Sequence, residues 1–132
     1  MSDNELEKLR LKKAEMLVNS QLIPRNIINI NSFDELNKFL TDFPNKIIII
    51  DFWAVWCGPC KFISPIFERL QQEYSQNFIF AKINVDDNPM LSRRFSITGI
   101  PTLLFLKNDK IIHRIIGAIG YDQLKEVLEK LK

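Results

Sequence analysis

A chain of 132 residues with 46% hydrophobic and 26% charged side chains can bury one core and is too short for two full domains. Its formal net charge of +2 is too small to make nucleic acid or an acidic surface its main partner, and no apolar run reaches the roughly 18 residues needed to span a bilayer. Two cysteines argue against a disulfide scaffold and fit a reducing compartment; with no secretory-type segment at the N-terminus, a cytoplasmic location is expected.

Residues 1–25 read as an N-terminal helical extension, followed by a domain over residues 26–132. Ser2 and Glu5 stand in the capping-box relation that starts a helix, and no Gly or Pro occurs from there to about Gln21. Leu6, Ala14, Leu17 and Val18 fall near one side. Leu9, Leu11 and Met16 widen that apolar sector while Arg10 and Lys13 interrupt it, so the amphipathic character is moderate. Lys8, Arg10, Lys12 and Lys13 form a basic cluster balanced by Asp3, Glu5, Glu7 and Glu15. Such a helix is either a solvated element lying against the domain or a docking arm for a protein, a membrane surface or RNA. Pro24 ends it by pushing the residue before it out of helical geometry.

Ile27, Ile28 and Ile30 suggest a first strand. Ser32 and Glu35 repeat the capping-box spacing and open a helix with Leu36, Phe39, Leu40 and Phe43 on its buried side. After Pro44-Asn45, a run of isoleucines continuing into Asp51, Phe52 and Trp53 reads as a central strand over 46–53, buried on both faces. Trp56-Cys57-Gly58-Pro59-Cys60-Lys61 follows and opens a helix in which Phe62, Ile63, Ile66, Phe67, Leu70 and Tyr74 recur at helical spacing. Pro65 inside it must kink the helix or remove a backbone hydrogen bond. Phe78, Phe80, Lys82 and Asn84 on one face, with Ile79, Ala81, Ile83 and Val85 on the other, make the next strand.

Asp86-Asp87-Asn88-Pro89 is a turn, and a short helix is expected around Met90 to Phe95. Leu103 to Leu106 and Ile111 to Ile116 flank Lys107-Asn108-Asp109-Lys110 as a hairpin. The last helix, from about Tyr121, buries Leu124, Val127, Leu128 and Leu131, with Lys125–Glu129 and Glu126–Lys130 pairing outside. This order of elements implies an α/β fold, a mixed sheet with helices on both faces.

A Cys-x-x-Cys pair between a strand and a helix is a redox signature with a physical basis. The first sulfur, Cys57, sits where unpaired helix N–H groups and the positive dipole end favour a thiolate, which makes it the candidate nucleophile. Cys60 lies one turn inside the helix, better shielded, and close enough to form a disulfide and to resolve a mixed one. Gly58 is expected to let the backbone turn tightly, and Pro59 suits a first helical turn. A closed zinc site would need two further ligands, which only a dimer sharing its cysteine pairs could supply. His113, the single histidine, lies far along the chain in the hairpin and reads as an ordinary surface or core residue.

Asp51 to Lys61, taken with Gly99-Ile100-Pro101-Thr102, resembles the thioredoxin family, and the resemblance runs from about Asn26 to the C-terminus. It implies the thioredoxin fold: a central mixed β-sheet flanked by helices on both faces, the first strand at one edge and the hairpin at the other, here with an extra N-terminal helix. The implied activity is protein disulfide reduction, because a Gly-Pro pair between the cysteines goes with reductases in this family. No cofactor is implied beyond the redox-active disulfide Cys57–Cys60, and no metal. Disulfide-containing proteins would be the substrates, a thioredoxin reductase the electron donor, and a monomer the working form, with no nucleic acid or membrane partner.

Asp51 matches the family's buried aspartate beneath the second cysteine, suited to take a proton from Cys60, and Lys82 matches the lysine that modulates it. Pro101 matches a cis-proline facing the cysteines. Trp56, Gly58, Pro59, Ile100, Pro101, Ile116, Gly117 and Ala118 map onto the surface that docks substrates. Two positions depart from the pattern. Val55 replaces a residue that is often polar or acidic, and Asp109 stands where glycine is common and is expected to take the left-handed conformation. The alternative reading is a protein-binding module or adaptor whose redox activity is secondary. A thiol oxidase or isomerase is disfavoured by Gly58-Pro59.

Overall fold

The computed structural model describes residues 2–11 and 24–132. Helix α1 spans 3–11 and starts as the capping-box spacing implies, with Ser2 Oγ accepting from the Glu5 N–H at 3.3 Å. Leu6, Leu9 and Leu11 are exposed on it. Ala14, Met16, Leu17 and Val18, the rest of the expected apolar sector, lie outside the described residues.

The remaining elements follow in chain order: β1 (Ile28–Asn29), α2 (Phe33–Asp42), β2 (Ile47–Trp53), α3 (Gly58–Tyr74), β3 (Phe78–Asn84), α4 (Pro89–Arg94), β4 (Thr102–Lys107), β5 (Lys110–Ile116) and α5 (Tyr121–Leu131). The five strands lie in the order β1-β3-β2-β4-β5. β3 runs parallel to both β1 and β2, while β4 is antiparallel to β2 and to β5. The first strand and the hairpin therefore occupy opposite edges, and β2 is the middle strand.

The period-two alternation of strands divides the core into two layers. Ile47 and Ile49 of β2 join Phe80, Phe105, Phe67 and Leu124 on one face, under α3 and α5. Ile48, Ile50 and Phe52 join Ile79, Ile83 and Leu104 on the other, with Leu36 of α2 and Leu91 of α4. A continuous isoleucine run suits a strand covered on both sides, and each such fully buried side chain stabilises the fold by roughly 1.5–3 kcal/mol.

Several local expectations change in the structure. The second capping box closes on a neighbouring residue: Ser32 Oγ accepts from the Glu35 N–H at 3.1 Å, but the Glu35 carboxylate accepts from the Asn31 N–H at 2.6 Å. Helix α3 continues through Pro65, which lacks the N–H that would bond one turn back. On that helix Phe62 is 58% exposed, away from the core that its spacing suggests. Lys125 pairs with Glu73 of α3 at 3.6 Å instead of Glu129, which takes Lys132 at 2.9 Å and the Tyr74 hydroxyl at 2.5 Å. The Lys125–Glu73 and Tyr74–Glu129 contacts fasten α5 to α3, while Lys132 holds Glu129 from the end of its own helix.

In the hairpin the left-handed residue is Asn108 (φ 58°), and Asp109 is not left-handed. Asn108 Oδ1 accepts from the backbone N–H of Asn45 at 3.0 Å, so the tip of the hairpin grips the turn that leads into β2. Asn45 is itself left-handed (φ 66°).

Candidate active site

Strand parity explains the position of Asp51. It shares a face with Ile47 and Ile49, so the same alternation that buries them carries its carboxylate under α3. It is 1% exposed and its Oδ1 accepts no hydrogen bond from the described residues. Burial pushes its pKa up to about 6, opposed in part by the positive charge of Lys82, its register partner on β3. The Lys82 ammonium itself donates to Ser64 Oγ at 3.1 Å and lies 5.7 Å from the centre of the Trp53 ring. Asp51, Cys60, Ser64 and Lys82 line one hollow of about 320 Å³, together with Trp53, Ala54, Val55 and Lys61.

Cys57 and Cys60 form a disulfide with Cα atoms 5.3 Å apart. Cys57 is the N-cap of α3, and its sulfur accepts from the Cys60 N–H at 3.2 Å. That amide is one of the orphan donors of the helix start, and a donor so directed favours negative charge on the sulfur it meets. The expected difference in shielding is absent: Cys57 is 3% exposed and Cys60 4%. Both sulfurs are covered, and only their places on the helix distinguish them. Pro59 stands in the first turn as expected, whereas Gly58 is an ordinary helical residue with no positive φ. A Cβ at Gly58 would meet nothing within 4 Å, so neither backbone nor packing demands glycine there.

Antiparallel pairing brings the beginning of β4 beside the end of β2, with Phe52 opposite Thr102. Pro101, just before it, is buried and follows a cis peptide bond from Ile100. The Ile100 carbonyl oxygen lies 3.8 Å from Cys57 Sγ. Gly117 donates its N–H to the Pro101 carbonyl at 2.8 Å, and its φ of 92° does require glycine. Ile116 and Ala118 beside it are exposed, and Ile100 is half-buried. Trp56 is 70% exposed, its indole N–H bonded to the Asp86 carboxylate at 2.8 Å. Asn84 Oδ1 in turn accepts from the backbone N–H groups of Asp86 and Asp87 at 2.9 and 3.3 Å. A second hollow of about 400 Å³ runs from Trp56 past Val85 and Ile97 to Ile100.

The strand register thus sets the catalytic and substrate-face candidates, from Asp51 to Ala118, toward one end of the sheet, with Asp109 at the other. Ser64 and Asp86 join them without having been singled out. A polar residue at helical spacing from Cys60 was the available signal for Ser64, and the acidic turn for Asp86. His113 is exposed on β5 and packs edge-on against Phe105, 5.3 Å between ring centres. Among the described residues, no three His, Cys, Asp or Glu side chains are placed to hold a metal ion.

Residues 27–130 match the family model described as Thioredoxin. The chain belongs to the thioredoxin family. It is similar to the thioredoxin of Buchnera aphidicola, 45% identical over 83 residues that make up 63% of this chain and 76% of that one. It also resembles the thioredoxin of Mycobacterium bovis, at 43% over 85 residues, covering 63% and 73% respectively. Among solved structures, the thioredoxin of Fasciola hepatica superposes with a TM-score of 0.75 at 33% identity, over 80% of this chain and all (100%) of that one. As a thioredoxin, the chain is a thiol–disulfide oxidoreductase that acts through its own cysteine pair, and the five-stranded sheet with helices on both faces is the thioredoxin fold.

Proposed function

We propose that this thioredoxin is a protein disulfide reductase of a reducing, cytoplasmic setting, with residues 26–132 as the redox unit and a monomer as the working form. The observation that carries the reading is the N-cap position of Cys57, whose sulfur accepts a helix N–H at 3.2 Å. An unperturbed thiol of pKa about 8.5 is only a few per cent ionised at pH 7, and a helix N-terminus raises that fraction.

In the dithiol form, the Cys57 thiolate attacks one sulfur of a substrate disulfide. A Cys57–substrate bond forms, the substrate disulfide breaks, and its other sulfur leaves as a thiolate that takes a proton from water. Cys60 then gives its proton to Asp51, and its sulfur attacks Cys57 Sγ. The mixed disulfide breaks, the second substrate sulfur leaves with the electron pair and takes a proton from water, and the chain is left as the Cys57–Cys60 disulfide. The substrate has gained two electrons and two protons. A thioredoxin reductase returns the two electrons to the chain.

Asp51 is suited to its step because a carboxylate with pKa about 6 is mostly ionised at pH 7 yet far more basic than a solvated one. Trp56, Gly58, Pro59, Ile100, Pro101, Ile116, Gly117 and Ala118 form the face a substrate meets, with Asp86 fixing the Trp56 ring.

Replacing each cysteine by serine tests the assignment. Cys57→Ser is expected to abolish reduction of a protein disulfide such as that of insulin, and Cys60→Ser to accumulate mixed disulfides held on Cys57. Stable adducts on Cys60 in the Cys57→Ser variant, with none on Cys57 in the other, would reverse the roles. Full partner capture by the variant lacking both cysteines, with no reductase activity in the intact chain, would favour the adaptor reading.

A further inference from the structure

Asp51 and Lys82 are register partners on adjacent strands and line the same hollow, yet the ammonium of Lys82 is bonded to the hydroxyl of Ser64 at 3.1 Å. Asp51 Oδ1 meanwhile accepts nothing. A buried carboxylate would ordinarily draw in the nearest cation, because opposite charges attract more strongly as they approach and as water is excluded. Here a neutral side chain on α3, one turn beyond Cys60, takes that cation instead.

We propose that Ser64 is a positioning residue whose hydroxyl holds the Lys82 ammonium out of direct pairing with Asp51, leaving the carboxylate basic enough to accept the Cys60 proton. This rests on the role of Asp51 as proton acceptor proposed above.

Ser64 carries no charge and its hydroxyl is bonded to Lys82, not to Asp51 Oδ1, so it acts on Asp51 through the place it gives Lys82. Among the described residues, the charged and titratable groups facing Asp51 are few. Helix α3 contributes Cys60 and Lys61, and β3 contributes Lys82. On its own strand and the segment after it, Trp53, Ala54 and Val55 are neutral, and β4 sets Leu103 opposite it. Lys61 is exposed, which leaves Lys82 as the cation whose placement counts. Direct pairing with a cation lowers a carboxylate pKa by about 1–3 units, and a weaker base accepts a proton from a thiol less readily. The half-buried hydroxyl thus separates two demands on Lys82: it stays near enough to moderate the buried charge and too far to neutralise it.

The test is a carboxyl-carbon NMR titration of Asp51 in the full-length dithiol protein, with Ser64→Ala and Ser64→Thr each made alone and together with Lys82→Gln. Ser64→Ala is expected to lower the Asp51 midpoint by about 1 pH unit, and Ser64→Thr, which keeps the hydroxyl, to stay within about 0.2 unit of the parent. In the Lys82→Gln background, Ser64→Ala should have no effect. Resolution of a preformed mixed disulfide should follow, its acid limb moving down with the midpoint and its rate above pH 7 falling about threefold.

A midpoint that stays or rises in folded Ser64→Ala, or a drop that persists without Lys82, overturns the proposal. Asp51→Asn in the same resolution assay separates the two layers. An unchanged rate there removes Asp51 as proton acceptor, while a lowered midpoint in Ser64→Ala still upholds Ser64 as the residue that places Lys82.

Discussion

Asp51 is the residue where burial and chemistry pull against each other. Its pKa of about 6 stands above the ordinary 3.8, so between those values the folded chain holds a proton that the unfolded chain has released. The stability linked to that proton is present below about pH 4 and is lost as the pH rises through 6. A shift of about 2 units corresponds to about 3 kcal/mol. Asp51→Asn, with the disulfide intact, is therefore expected to be more stable than the parent by about 3 kcal/mol at pH 8 and equal to it near pH 3.5. Urea unfolding at both values checks this, and a difference that does not change with pH would mean the cost is not that of an ionised buried carboxylate. The buried place of this residue was implied by the family resemblance, and the strand register accounts for it by putting it on the face of Ile47 and Ile49. Ser64 and Asp86 were not legible in the same way, because their partners Lys82 and Trp56 come from other elements. The equal covering of Cys57 and Cys60 was also hidden: it depends on how the Ile100–Pro101 segment meets the helix start, which local spacing does not encode.

Between elements, the left-handed residues at turns carry a contrast that mutation can expose. Ser96 has a φ of 53° after α4 and, among the described residues, no side-chain hydrogen bond, so it bears the steric cost of that conformation without return. Ser96→Gly is expected to raise stability by about 1 kcal/mol. Asn108 has nearly the same backbone, but its side chain grips the Asn45 turn across the sheet. Asn108→Gly is expected to lower stability by about 1 kcal/mol despite relieving the backbone. Thermal unfolding of the two variants side by side decides it, and a gain in both would mean the grip contributes nothing. Elements with a clear apolar pattern, the continuous run of β2 and the helical spacing of α5, were readable from their own residues. The hairpin was readable as a hairpin, but its left-handed position moved from Asp109 to Asn108, because the contact with Asn45 selects the residue whose amide can reach it.

On the scale of the molecule, the sheet order and the two-layer core follow the family resemblance, which local patterns alone did not reach because strand order depends on long-range pairing. The family match begins at residue 27, yet hydrogen bonding reaches further back: the buried Gln71 amide donates to the Arg25 carbonyl at 2.5 Å. Residues 1–25 contain no Cys, His or aromatic residue. Their removal is expected to leave turnover of a small untethered disulfide within about twofold, a change of about 0.4 kcal/mol in barrier. Removing 1–25 should nonetheless cost about 1–3 kcal/mol more stability than removing 1–23, because only the longer cut strands the Gln71 donor. Activity and unfolding measured on both truncations test the two halves of this expectation, and a large loss of activity in a folded truncation would place the extension at the active site. The cysteine content of these 132 residues has a further practical consequence. With no third thiol, the chain cannot shuffle its bond internally, so once Cys57 and Cys60 are paired any slower band on a non-reducing gel is a covalent encounter with another molecule that has opened that pair. The oxidation level of a sample can then be read as none or two alkylated thiols by mass, and a population with one is a direct count of chains caught in mid-exchange.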